Sequence, residues 1–135
     1  MAGDPDEVSQ LEVALTRQLP DDYRSFLRTH PDGEDDLFGD EWLVLWSAET
    51  VEECNLVGYA YLHEHADDLV LIGSNGSGEA VAFDLRDGAQ RVVLLPFIST
   101  GWEDGAPQAN SFTEFMDQRR RGDPYVFESY GPEKR

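Results

Sequence analysis

The chain reads as an α+β protein in which helices pack against one antiparallel sheet. Three observations predict this class. Apolar residues recur at helical spacing near both ends, the pattern turns strand-like after Asp68, and glycine turns between the strands are too short for crossover helices.

Val8, Leu11, Leu15 and Leu19 predict a first helix over Asp6 to Gln18. Pro20-Asp21-Asp22 reads as a new helix start, with proline in the first turn and acids at the positive end of the dipole. Tyr23, Phe26 and Leu27 form its apolar face, and His30-Pro31-Asp32-Gly33 ends it. Glu41-Trp42-Leu43-Val44-Leu45-Trp46 is a strand, aromatic and branched enough for a buried pleated surface. Trp42 and Trp46 share a parity on it and are expected to help build the core.

Ser47 or Thr50 can cap the next helix, and Thr50-Val51-Glu52-Glu53 fits a capping box. Its predicted apolar stripe is Val51, Cys54, Val57, Tyr61 and Leu62, ending before Asp67-Asp68. Leu69 to Ile72, Glu79 to Asp84 and Arg91 to Leu95 then form a three-stranded antiparallel meander. A glycine-rich loop, Gly101 to Asn110, leads to a last helix opened by the capping box Ser111-Phe112-Thr113-Glu114.

At 135 residues the chain is expected to form a single domain over 1–135, with loose ends at 1–7 and 122–135. Cys54 is the only cysteine, which excludes an internal disulfide and fits a reducing compartment. The acidic, polar start is unlike a signal peptide, and no apolar run is long enough to span a membrane. A cytoplasmic location is the expectation.

The net charge is −18, and it is unevenly spread. From Thr29 to Leu85 there are fourteen Asp or Glu and not one Lys or Arg. Such a field repels nucleic acid and anionic lipid and attracts basic protein surfaces, polyamines or divalent cations, the other account being a solvated, solubilising face. The acids of the first half, Asp32, Glu34, Asp35, Asp36, Asp40, Glu41, Glu52 and Glu53, are therefore candidate partner-binding residues. Trp102, with Glu103 and Asp104, joins them as a candidate aromatic anchor in an acidic loop, the other account being a ring folded back over the core.

Other motifs carry no chemistry on inspection. Gly73 to Gly78 joins two strands rather than a strand and a helix, so it reads as a hairpin turn and not a phosphate cradle. His63-Glu64-His65 lacks the spacing and second ligand pair of a metal site and reads as a solvated helix end. Asp32-Gly33-Glu34-Asp35-Asp36 misplaces the glycine of a calcium loop. Cys54, on an apolar stripe, is expected to be a buried, inert thiol. With no paired acid and base, activated nucleophile or metal set, the reading is non-catalytic and without a cofactor.

Four segments in order resemble the SUKH superfamily, the group of Syd and the Smi/Knr cell-wall regulators. They are Leu19 to Leu27 ending in Asp32-Gly33, Leu45-Trp46-Ser47 entering a helix that holds Asn55, Leu71 to Glu79 followed by Phe83-Asp84, and Ser111 to Phe115. Two features depart from the pattern. Ala80 and Ala82 replace bulkier strand residues, and Trp102 to Asn110 has no counterpart. The resemblance implies an immunity protein that neutralises a cognate toxin, often a nuclease or deaminase, without shared catalytic residues. The Smi/Knr branch implies the other reading, a regulatory or scaffold protein with several partners.

Adding salt screens self-repulsion among the first-half acids, so Tm should rise modestly between low and physiological ionic strength. Differential scanning calorimetry across that range checks this, and a flat or falling Tm would mean that the acids are internally paired.

Overall fold

A computed structural model describes residues 6–131. Asp6 opens α1 (Glu7–Leu15) by accepting the Ser9 N–H at 2.8 Å. The helix stops at Leu15, short of the expected Gln18, because Thr16 turns left-handed at φ 56° and caps it. Helix α2 (Asp21–Thr29) buries Tyr23, Phe26 and Leu27, as its spacing predicts.

Six strands follow one another across a single antiparallel sheet: β1 (Glu34–Phe38), β2 (Glu41–Leu45), β3 (Leu69–Ser74), β4 (Glu79–Asp84), β5 (Arg91–Pro96) and β6 (Ala106–Ala109). The expected meander is β3–β5, and the strand at Glu41 is β2. The two outer strands have no strand-like sequence. β1 is Glu-Asp-Asp-Leu-Phe and β6 is Ala-Pro-Gln-Ala, and pairing to a neighbour is what makes each a strand. Gly39 takes φ 62° in the two-residue turn between β1 and β2, a position that favours glycine.

The sheet buries both faces over β3–β5. On the first face Val70, Ile72, Val81, Phe83, Val92 and Leu94 meet the apolar sides of α1, α2 and α4 (Phe112–Arg120). There Tyr23 lies edge-on to Phe83 and Phe112, each with centroids 5.2 Å apart. On the second face Leu69, Leu71, Ala80, Ala82, Val93 and Leu95 cluster with Leu62 and Trp102, flanked by Trp46, Tyr59 and Phe97.

The segment after β2 departs from a single regular helix. Ser47 caps α3 (Ala48–Glu53), a wide π turn follows over Cys54–Gly58, and a 3-10 turn covers Ala60–Glu64. The π turn rotates the predicted stripe, so Val57 is 74% exposed and Asn55 is buried in its place, while Cys54 is only half-buried.

That rotation places Asn55 where β3 needs it. β2 pairs with β3 only through Val44↔Ser74 and Leu45↔Gly73. At Gly73 the backbones approach so closely that a Cβ would clash with the Val44 carbonyl oxygen. Beyond this contact β2 leaves the sheet, and Leu71 faces no strand on that side. Asn55 Oδ1 accepts the Leu71 N–H at 2.8 Å, and its Nδ2 donates to the Leu71 carbonyl at 2.8 Å and to the Val51 carbonyl at 2.7 Å. One amide thus replaces a missing strand beside the bulge between Leu71 and Gly73.

The chain after Gly122, expected to be loose, is held as far as Gly131. Tyr125 is buried and its hydroxyl donates to the Trp42 carbonyl at 2.6 Å. The Gln108 side chain brackets the Val126 backbone, accepting its N–H at 2.9 Å and donating to its carbonyl at 2.6 Å. The expected loose start falls largely on residues 1–5, outside the described residues.

Asn55→Ala leaves both Leu71 backbone groups buried and unpaired, at a cost of about 2–4 kcal/mol. Urea unfolding measures this, and amide exchange at Leu71 should accelerate in the variant. Wild-type stability in Asn55→Ala would refute the role.

Candidate functional site

The acids of the β1–β2 hairpin stand apart from the others in the molecule. Among the described residues every arginine but one pairs with a carboxylate. Arg17 meets Asp68, Arg24 meets Glu12 and Asp21, Arg28 meets Asp6, Arg120 meets Asp117, Arg121 meets Asp123, and Arg86 and Arg91 share Asp84. The exception, Arg119, is buried between the rings of Tyr125 (4.1 Å) and Phe115 (5.3 Å). Among the described residues no arginine side chain is left for the hairpin. Asp32, Asp35, Asp36 and Asp40 are exposed, Glu41 is half-buried, and the carboxylate of none of the five accepts a hydrogen bond or forms an ion pair among the described residues. Among the described residues Glu34 has only His30 as an ion-pair partner, at 3.9 Å.

Pairing and parity sort these residues onto two faces. Asp35 and Leu37 lie opposite Val44 and Trp42, so they share the second face with them; Glu34 and Asp36 lie opposite Leu45 and Leu43, on the helix side. Over β1 and β2 the second face is uncovered, with Leu37 50% and Trp42 51% exposed. This corrects the expectation that Trp42 builds the core. Trp46, of the same parity, does pack inward, stacked parallel to Tyr59 at 6.4 Å.

The expected anchor, Trp102, is the second correction. It is 7% exposed, its indole N–H donates to the Asp67 carbonyl at 2.8 Å, and its ring lies under the Arg86 guanidinium at 4.7 Å. The ring is folded back over the core. Both departures from the SUKH pattern meet here, because the small Ala80 and Ala82 belong to the same buried cluster as Trp102. Glu103 and Asp104 sit on the β5–β6 connection, at the opposite end of the strand order from β1, and Asp104 is engaged by the Thr100 N–H at 3.2 Å. Glu52 and Glu53 are exposed on α3, at the far end of β2 from the hairpin turn, and Glu52 lines a groove with Glu7 and Gln10.

The remaining polar groups serve the fold. His63 is half-buried rather than solvated, with Nε2 3.0 Å from Asn55 Oδ1, and burial pushes its pKa down, which keeps it neutral. In the β3–β4 turn Asn75 Oδ1 accepts the N–H groups of Ser77 (3.0 Å) and Glu79 (3.3 Å), so these donors point inward and not at a ligand. Among the described residues no helix is long and apolar enough to cross a membrane.

Asp84 holds the Trp102 layer in place. Fully buried, it receives a two-point contact from Arg86 (Nε 2.9 Å, Nη2 2.7 Å), one from Arg91 at 3.2 Å, and the Tyr130 hydroxyl at 2.6 Å. Burial would push its carboxyl up, but hydrogen bonds from Arg86 and Tyr130 outweigh this and hold it at about 2. A carboxylate lowered on folding stabilises the protein above its unfolded pKa of about 3.9 and loses that contribution as pH falls toward the folded value. The Asp84 contribution, on the order of 2 kcal/mol, should therefore vanish between about pH 4 and pH 2. Urea unfolding of wild type and Asp84→Asn tests this: the stability gap should shrink across that window. A gap independent of pH would show that the charge is not what stabilises.

A search of curated proteins finds no match to this chain. The sequence profile of the SMI1 / KNR4 family (SUKH-1) matches residues 3–118, a span that contains all four segments of the resemblance and every strand of the sheet. The chain belongs to the SMI1 / KNR4 family (SUKH-1), within a superfamily that includes immunity proteins.

Proposed function

We propose that this chain is a non-catalytic immunity protein that neutralises a cognate basic protein toxin of the nuclease or deaminase type. The observation that carries the proposal is the set of hairpin acids that no arginine among the described residues meets, in a family that includes toxin-binding members. Enzymes that act on nucleic acid need positive surfaces to hold phosphates. An acidic face of matching extent occludes such a surface and speeds encounter by steering.

Asp32, Glu34, Asp35, Asp36, Asp40 and Glu41 are the proposed docking residues, and Trp42 with Leu37 supplies the apolar anchor first assigned to Trp102. Aromatic rings at the centre of a desolvated contact carry much of the energy of an interface, while surrounding charges set the rate of association. Glu52, Glu53, Glu103 and Asp104 lie outside this patch and contribute to the long-range field alone.

The test is binding kinetics at two salt concentrations with the product of the adjacent gene. Asp35→Asn/Asp36→Asn should lower the association rate, most at low salt. Trp42→Ala should raise the dissociation rate, at a cost of about 2 kcal/mol or more, without changing Tm. Trp102→Ala should instead cost about 3 kcal/mol of folding stability and leave the rates alone in the folded fraction. Association that ignores both salt and the double neutralisation would remove the acidic hairpin from the docking surface.

A further inference from the structure

In an antiparallel ladder the N–H and C=O of one residue point to the same side of the strand, and the side alternates along the chain. The Trp46 N–H donates to the Ile72 carbonyl at 3.0 Å, on the β3 side of β2. The carbonyl of Trp42, which has the same parity, accepts the Tyr125 hydroxyl at 2.6 Å. Trp42 and Val44 therefore turn their backbone groups away from β1. Their partners Leu37 and Asp35 turn theirs away from β2, toward the open side of the sheet. Among the described residues no group bonds to the Asp35 or Leu37 backbone on that side.

The two edges of the sheet are thus treated differently. Beside β6, Gln108 pins the backbone of Val126, and the Tyr130 N–H reaches the Gly105 carbonyl at 2.7 Å. Among the described residues nothing comparable covers β1. Its side chains select what can add there. A second copy of this chain would bring Asp35 and Asp36 against like charges, which is destabilising across a strand pair. A basic strand meets the opposite situation, with Lys or Arg facing Glu34 and Asp36 on one side and Asp35 on the other, and an apolar residue reaching Leu37 and Trp42.

We propose that β1 is a docking edge to which an extended basic segment of the protein partner adds as a further strand. This rests on the reading of a basic partner and specifies how the partner is held, through main-chain hydrogen bonds at Asp35 and Leu37 with charge deciding which segment qualifies.

The probe is a blocked peptide, Thr-Val-Lys-Arg-Lys-Val-Thr-Val, compared with the same peptide N-methylated at the Arg and at the Lys that follows it. Both carry the same charge, but only the first can pair along its length on either edge. In a ¹⁵N-resolved NMR titration at low salt the unmethylated peptide should bind roughly tenfold more tightly or better, because whichever edge faces β1 carries one of the two methyl groups and loses a backbone hydrogen bond there. Its binding should slow amide exchange at Asp35 and Leu37. In the protein, Asp35→Pro removes an outward N–H without touching the β2 ladder, and it should weaken the peptide more than Asp35→Asn, which removes only charge. Equal affinity for the two peptides, no binding of either, or shifts confined to Glu52 and Glu53 would overturn strand addition. If toxin association still depends on Asp35 and Asp36 in that case, strand addition alone has failed. If that dependence is also absent, the acidic docking reading fails with it.

Discussion

The arrangement turns on what happens at Leu71. β2 runs beside β3 for only two pairs and then departs, leaving a central strand with a backbone N–H and C=O facing no neighbour. Burying such groups unpaired is costly, and Asn55 answers both with one side chain. With β3 completed in this way, the chain can leave β2 at Ser47 and enter α3. The β1–β2 hairpin extends past the layer of Leu62, Tyr59 and Trp102 that covers the rest of the second face. At its other end β2 runs on past Ser74, the last residue of β3, and there Trp42 and Leu37 stay exposed.

A protein with charge −18 has few cations to distribute, and their distribution is informative. Two of them, Arg86 and Arg91, converge on buried Asp84, where low dielectric makes pairing strong and an unpaired carboxylate intolerable. Others tie α1 and α2 together, as in Arg28–Asp6 and Arg24–Glu12. Among the described residues the hairpin receives none, although its acids repel one another across a few ångströms of strand. Self-repulsion concentrated at one exposed edge favours contact with a positively charged surface, and the same charge keeps that edge from pairing with copies of itself.

Periodicity carried much of the fold. The meander β3–β5, the apolar side of α2 and the capping box of α4 are visible because each depends on residues a few positions apart. The segment from Ala48 to Glu64 was less legible, since a π turn shifts the phase of any stripe read at 3.6 residues per turn. Asn55 stood out only through the resemblance, because its partner Leu71 is sixteen residues away. The tail was misread for a related reason: Tyr125 and Tyr130 are held by Trp42 and Asp84, which no local pattern connects to them.

The sequence by itself determined the fold class, the family pattern and the acidity of the first half, all of which are local or additive properties of the chain. Tertiary structure alone decided which of the three tryptophans is exposed, which sheet edge is open and which acids the described arginines meet. Trp42 and Trp46 have the same strand parity, yet only Trp46 has Tyr59 stacked against it. Trp102 sits in a glycine-rich acidic loop, yet its ring lies under Arg86 and caps a cluster containing two small alanines. Exposure is set by what the rest of the chain brings to a side chain, and those contacts form across separations that spacing and composition do not encode.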